Sequence, residues 1–328
     1  MRRRSALLVG ARIVLVACGD QASLPSEITG SVEGTPAPAT TAPPTCSAAE
    51  AGRDDHVRSY PPLDPLPQPG EMPAGSTMAD IADSGHLVAG VSADTLLFGA
   101  RNSLTGQLEG FDIDMVNELA RAIFGDTEGR VEYRVITYAE RLPSLESGAV
   151  DVVAHTMTIN CNRWLRIAFS AEYFTAGQKV LVTKGSGIES IEQLADAGGT
   201  VCAPEGSTNI DEVRSGRPEY DGLVVIGKPD ISDCLVALQQ GEADATTGDD
   251  TVLLGFAAQD PNTEVVGPQF TTEPYGMGFN RDRTDLVQFA NGVIDEMRAN
   301  GRWAEIYARW LGGEVPAPPE PLYTRPLP

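Results

Sequence analysis

Three observations predict an α/β fold of two lobes, each a mostly parallel sheet flanked by helices, joined by a hinge of two crossover strands. Short apolar runs such as HLVAGV alternate with amphipathic stretches, and that alternation builds parallel strands linked by helical crossovers. The part of the chain with globular composition is about 240 residues, more than one core usually holds. Glycines and prolines punctuate GPQFTTEPYGMG, where they can absorb the backbone rotation of one lobe closing on the other.

The chain begins with a basic Met1-Arg2-Arg3-Arg4 and an apolar run over 6–17, too short to stay in a bilayer as a spanning helix. It reads as a cleaved signal over 1–17. Its end, Leu15-Val16-Ala17-Cys18, is similar to the lipobox of bacterial lipoproteins, which implies acylation of Cys18 and an anchor at the outer face of the plasma membrane. Residues 18–76 are rich in Pro, Ala, Thr, Ser and Gly, as in TPAPATTAPPT and YPPLDPLPQPG. Such a segment buries too little apolar surface to offset its ordering entropy, so a semi-extended tether is expected, and 314–328 reads as a similar tail. Between them, 77–178 with 275–313 is expected to form the first lobe and 179–274 the second.

Loss of Arg2, Arg3, Arg4 and Arg12 with the leader would take the formal charge from −22 to −26. So acidic a body argues against nucleic acid as a partner and against lying on anionic lipid; a monomer is expected. Of five cysteines, Cys18 is expected to be lipidated. The other four, Cys46, Cys161, Cys202 and Cys234, read as two disulfides with three possible pairings in an exported chain. Cys202–Cys234 is expected because both fall in the second lobe, one on a strand and one at a helix start, and Cys46–Cys161 would follow. The sequence has no C-x-x-C and its three histidines are scattered, so no metal or cofactor is expected.

In the first lobe, HLVAGV is a strand, 112–123 an amphipathic helix with Ile113, Val116, Ala120 and Ile123 on one face, 131–136 a second strand and 141–147 a helix closed by Gly148. Asp112 and Asp114 fall in a first helical turn, where the dipole favours negative charge. Residues 150–154 form a short buried strand. Beyond it Thr156, Thr158 and Asn160 alternate with Met157 and Ile159, which puts hydrogen-bonding groups on one side and apolar groups on the other. Five residues past Thr158 stands Arg163, a planar fork that suits a carboxylate or pairs with a structural Asp. The run 178–183 reads as a strand leaving the first lobe and doubling as a hinge.

In the second lobe, strand 199–203 leads to Gly206, Ser207 and Thr208, where amides and hydroxyls at a helix start suit an anion or cap the helix. A helix over 233–240 and its stop Gly241 precede a strand that runs into Asp249 and Asp250. Trp303, Tyr307 and Trp310 have the spacing of core aromatics on the last helix.

TMTINCNRWLRIAFSAEYF resembles the T-x-x-x-x-R and F-S-x-x-Y-[FY] signature of the polar amino-acid-binding proteins that feed ABC importers. GFDIDMVNELA resembles the same family's G-[FY]-[DE]-x-D-[LM] motif, and the likeness runs over 87–311. The resemblance implies a type II periplasmic-binding-protein-like fold that captures a Glu, Gln, Asp or Asn class ligand between closing lobes. It implies a carboxylate held by Arg163 and residues 206–208. It also implies an ammonium held by Asp249, with Asp250 as the neighbouring alternative, and by groups around Thr156 and Thr158. The first loop should supply an aromatic, for which Phe98 is the candidate though it reads equally as core, and a polar group, Ser92 or Asp94. An acidic ligand would want a second cation from Lys179, Arg101 or Arg141. His155 reads as a structural histidine more readily than as a ligand contact.

The partner implied is an ABC permease. A membrane sensor would leave the same sequence, and a dehydratase-like enzyme on this fold is a further alternative. The sequence has no G-x-S-x-G motif and no nucleophile with a recognisable base, so no enzyme activity is expected.

Overall fold

Residues 57–328 are described by the computed structural model; the leader, Cys18, Cys46 and the tether before residue 57 lie outside the described residues. After a helix Thr77–Ser84, the first apolar run forms strand Leu87–Val91 (β1), followed by a small antiparallel ribbon of Asp94–Thr95 (β2), Gly99–Arg101 (β3) and Leu108–Glu109 (β4). The helix Phe111–Phe124 starts hard against that ribbon. Gly110 before it has φ 139°, and a Cβ there would collide with the Phe98 carbonyl, so only glycine can begin this helix. Val131–Val135 (β5) follows, then a 3-10 turn Tyr138–Glu140, helix Arg141–Glu146 and Val152–Ala154 (β6); β5 and β6 flank β1 in parallel. The short helix Cys161–Trp164 leads to Ile167–Phe169 (β7).

Phe174–Ala176 (β8) carries the chain out of the first sheet, and Gln178–Thr183 (β9) opens the second. Thr200–Pro204 (β10), Val224–Lys228 (β11), Ala245–Asp249 (β12) and Thr263–Val266 (β13) complete that sheet, with helices Ile191–Asp196, Thr208–Val213, Ile231–Gln240 and Asp250–Gln259 between them. Glu273–Tyr275 (β14) returns antiparallel to β8, and Gly278–Asn280 (β15) inserts into the first sheet. Helices Thr284–Ala299 and Arg302–Trp310 close the first lobe.

The orders β5-β1-β6-β15-β7 and β11-β10-β12-β9-β13 share one logic. In each sheet four strands run one way, and the strand that arrives from the other lobe, β15 or β9, is the antiparallel one. The crossover was expected at 178–183. The outward strand is instead β8, and β9 belongs wholly to the second sheet, whereas the return strand β14 falls within GPQFTTEPYGMG, where the bending glycines and prolines were expected.

The first core is rich in aromatics. Phe98, Phe111, Phe174 and Tyr275 meet edge to face or stacked, with Trp303 and Tyr307 closing over Phe111. In the second lobe the expected disulfide Cys202–Cys234 joins β10 to the helix Ile231–Gln240. Cys161 is disulfide-bonded as well; its expected partner, Cys46, is outside the described residues.

The proline-rich ends depart from the expectation of a free tether and tail. Ser59 is fully buried, Leu63 and Leu66 pack on the first core, and the Asn291 amide donates to Ser59 Oγ and the Tyr60 carbonyl. The tail runs alongside: Ser59 N–H donates to the Leu322 carbonyl, Arg325 N–H to the Ser59 carbonyl, and the Arg325 guanidinium lies 3.6 Å over the Trp164 ring. Composition counted these stretches as unable to bury surface. A few apolar side chains and the exposed backbone groups of extended chain suffice when an existing core offers a groove.

Candidate functional site

The site grows from the end of β6. Thr156 has φ 41°, a left-handed conformation that a β-branched residue adopts only under constraint. The constraint is visible: its N–H donates to Asp112 Oδ2 at 2.7 Å, and Arg141 reaches its carbonyl at 3.4 Å. Asp112 also accepts from the Tyr173 hydroxyl at 2.6 Å, so this buried carboxylate ties the helix start to the loop and is more than a partner for the helix dipole. Burial pushes its pKa up to about 6 against those hydrogen bonds. Thr156 Oγ1 is buried and, among the described residues, has no hydrogen-bond partner.

Asn160 caps the next helix through the Arg163 N–H at 2.9 Å and so aims Arg163 back towards the loop. The Arg163 guanidinium, 6 % exposed, donates to the Thr158 carbonyl at 2.6 Å and across to the Gly206 carbonyl of the second lobe at 3.3 Å. Arg141, 1 % exposed, donates to the carbonyls of Tyr138, His155 and Thr156 and reaches the same Gly206 oxygen at 3.0 Å. Among the described residues neither guanidinium has a carboxylate within ion-pair distance. Two buried cations thus converge on one carbonyl, with dipoles in direct contact and the carboxylates of Asp112, Asp249 and Glu273 acting from beyond ion-pair distance. Burial, and then the Arg141 charge beside it, lowers the Arg163 pKa to about 9, which leaves it protonated at neutral pH.

Facing them, Asp249 ends β12 with 6 % exposure and accepts from Asn209 Nδ2 at 2.8 Å and from the Tyr275 hydroxyl. Burial first, and the Glu273 charge second, push its pKa up to about 7. The fields of both arginines reach it. Asp250, the alternative, accepts from the amides of Gly177 and Thr251 and from Gln269, and is spent on fixing its own helix start.

Other expected residues divide. Thr158 and Thr208, one from each lobe, bring their hydroxyls to 3.3 Å. Gly206 has φ 79° and lies against the Ala139 backbone of the first lobe. Ser207 is consumed by capping, accepting from the Ile210 N–H and donating to the Pro204 carbonyl, so its hydroxyl is not a ligand donor. Phe98 is fully buried among core rings and is not a pocket wall.

Lys179 pairs with Gly248, and Gln178 with Asp249, so the period of two puts the Lys179 side chain on the face away from Asp249. Arg101 is exposed and bonded to the Gly106 carbonyl. Of the proposed second cations only Arg141 lies in the cleft. His155 packs on Tyr138 and bonds the Ile136 carbonyl; burial holds it neutral, with a pKa near about 3. Asp94 reaches across the cleft to the Ser232 hydroxyl at 2.5 Å, while Ser92 donates to Asp94.

Sequence reasoning missed Tyr138, Asn209, Tyr275 and Glu273. Tyr138, over whose ring the Arg141 guanidinium sits at 4.6 Å, packs with second-lobe residues although its turn belongs to the first. Two cavities open along the line where the lobes meet. One of about 300 Å³ is lined by Tyr138, Leu142, Arg163 and Gly206, and one of about 540 Å³ by Thr158, Thr208, Phe270 and Glu273. Among the described residues no three His, Cys, Asp or Glu side chains are grouped to hold a metal ion.

A deep cleft between two sheets, with cations and a carboxylate buried opposite each other, is a geometry for a small dipolar ligand, and known proteins share both the chain and the shape. The ABC transporter glutamine-binding protein GlnH of Bacillus subtilis is 38 % identical over 235 residues, covering 72 % of this chain and 84 % of that protein. The glutamine-binding protein of Geobacillus stearothermophilus is 41 % identical over 209 residues, covering 63 % and 78 %. Among solved structures, a mutant of the arginine-binding protein ArgBP from T. maritima superposes with a TM-score of 0.65 at 30 % identity, covering 72 % of this chain and 99 % of that one. With residues 87–313 matching the family as a whole, the chain belongs to the bacterial extracellular solute-binding proteins, family 3.

Proposed function

We propose that this protein captures a polar amino acid of the Glu, Gln, Asp and Asn class between its two lobes and delivers it to an ABC importer. In this reading Cys18 anchors it at the outer face of the plasma membrane. The observation that carries the proposal is the opposition of the carbonyl-bound guanidiniums of Arg141 and Arg163 to the buried carboxylate of Asp249. A zwitterion complements that pattern: its carboxylate meets Arg163 and backbone amides of residues 206–208, and its ammonium meets Asp249 with Thr156 and Thr158. The unpartnered Thr156 hydroxyl gains a partner when the ligand arrives.

Arg141 supplies the second cation that an acidic side chain needs. Glutamate and aspartate are therefore favoured over their amides, whereas the two relatives above are named for glutamine. The ligand stabilises the closed arrangement only through contacts made on both walls at once. The relatives are named as binding proteins, and no reaction is proposed.

A thermal-shift screen against the twenty amino acids tests this. One or a few polar amino acids should raise the melting temperature, and Arg163→Ala and Asp249→Ala should abolish the shift while the ligand-free chain still melts cooperatively. If no amino acid shifts the transition, the ligand class is wrong.

A further inference from the structure

Glu273 is the one acid of the two hinge strands, and it is buried. It starts β14, paired with Ala176 of β8, and is 4 % exposed. Its Oε2 accepts two hydroxyls, Thr158 Oγ1 of the first lobe at 2.6 Å and Thr208 Oγ1 of the second at 2.8 Å, while Oε1 accepts Thr271 Oγ1 at 2.6 Å. Among the described residues no Lys or Arg lies within ion-pair distance of it. A carboxylate buried in the hinge is thus satisfied by hydroxyls drawn from both walls of the cleft.

A hydroxyl has one proton and two lone pairs. With both protons drawn to Glu273, Thr158 and Thr208 have only lone pairs left for anything else in the cleft. They can accept from a cation, but neither can donate to a carboxylate. That alters the role implied for Thr208: any carboxylate contact from its segment falls to backbone amides, and the hydroxyl belongs to the positive end of the guest.

Resting on the amino-acid reading above, we propose that Glu273 is a positioning residue that fixes the Thr158 and Thr208 hydroxyls as acceptors, making this corner of the cleft a seat for the ligand's ammonium group. The large cavity lined by both threonines and Glu273 opens onto this corner. In Glu273→Gln the amide N–H donates to one threonine, freeing that hydroxyl's proton to face the ammonium and repel it. Glu273→Asp keeps the charge on a shorter stem and recovers part of the wild-type behaviour.

The test is calorimetric titration at pH 8 with L-glutamate and with (S)-2-hydroxyglutarate, which replaces the three ammonium donors by one hydroxyl. Another amino acid and its 2-hydroxy counterpart take their place if the screen selects it. Wild type should prefer the amino acid. Glu273→Gln should lose about tenfold in affinity for it, the scale of a charged hydrogen bond, and less than about threefold for the hydroxy acid. Equal losses for both ligands, or none, overturn the proposal, since a purely structural role moves both alike. The far-ultraviolet dichroism and melting curve of each variant identify any that fails to fold, and in that case Thr208→Val, which should also narrow the preference, decides. A wild-type chain that binds no amino acid overturns the functional reading itself, a different result.

Discussion

Gly206 of the second lobe stands so close to Ala139 of the first that a Cβ on Gly206 would lie 2.7 Å from the Ala139 Cα. The obstacle is backbone on both sides, which cannot swing away as a flexible side chain can. At this point the absence of a side chain is what lets the lobes meet, and it brings the Gly206 carbonyl within reach of both arginines.

Gly206→Ala should therefore hold the lobes apart. The affinity for an amino acid should fall at least tenfold, and the φ of 79° should cost a further ~1 kcal/mol of fold stability. Small-angle scattering with saturating ligand checks it: wild type contracts and the variant stays at the ligand-free radius.

Affinity should depend on pH through Asp249. Its pKa, raised to about 7 in the ligand-free chain, means that a ligand's ammonium must displace a proton below that value. Titration calorimetry from pH 5 to pH 8 should show affinity rising and then levelling above about 7. The effect on stability has the opposite sign. Between the ordinary carboxylate value and about 7 the folded chain holds a proton that the unfolded chain has released, so this group's contribution is full at low pH and is lost as pH rises. Asp249→Asn should flatten both dependences.

Arg141→Gln separates acid from amide ligands. Removing a buried cation beside a ligand carboxylate should weaken L-glutamate or L-aspartate by about a hundredfold and their amides by far less. Measured dissociation constants for the four ligands check this, and a uniform loss would mean that Arg141 only shapes the loop through the carbonyls it binds.

Arg325→Ala removes the cation stacked on Trp164 and should cost about 1 kcal/mol, lowering the melting temperature by about 2–4 °C. Deleting residues 314–328 should cost more, since Leu322, Tyr323 and Arg325 each hold the proline-rich segment at Ser59 or the first lobe. Differential scanning calorimetry of both variants measures it.

The loop after β6 was legible because Thr156, Thr158 and Asn160 alternate with buried Met157 and Ile159, a pattern local to the sequence. Glu273 was not, because an acid among glycines and prolines reads as solvated. Its burial comes from β8 and β14 pairing, which brings it to Thr158 across 115 positions of sequence. Lys179 and Arg141 show the same limit. The period of two says that Lys179 and Gln178 point oppositely, but only the pairing with β12 says which of them shares the side of Asp249. Composition hid the packing of the two proline-rich ends, since a few anchoring side chains such as Ser59 and Tyr60 hardly change a proline-rich average.

The first and last described segments lie side by side on one half of the molecule, and β8 and β14 are the two strands that lead across to the other. A fluorophore or a sensor surface coupled at the carboxyl end would accordingly ride with the half that carries both of these segments. Grasping of a guest would then register as travel of the other half relative to it, a displacement that a single pair of distance labels can follow.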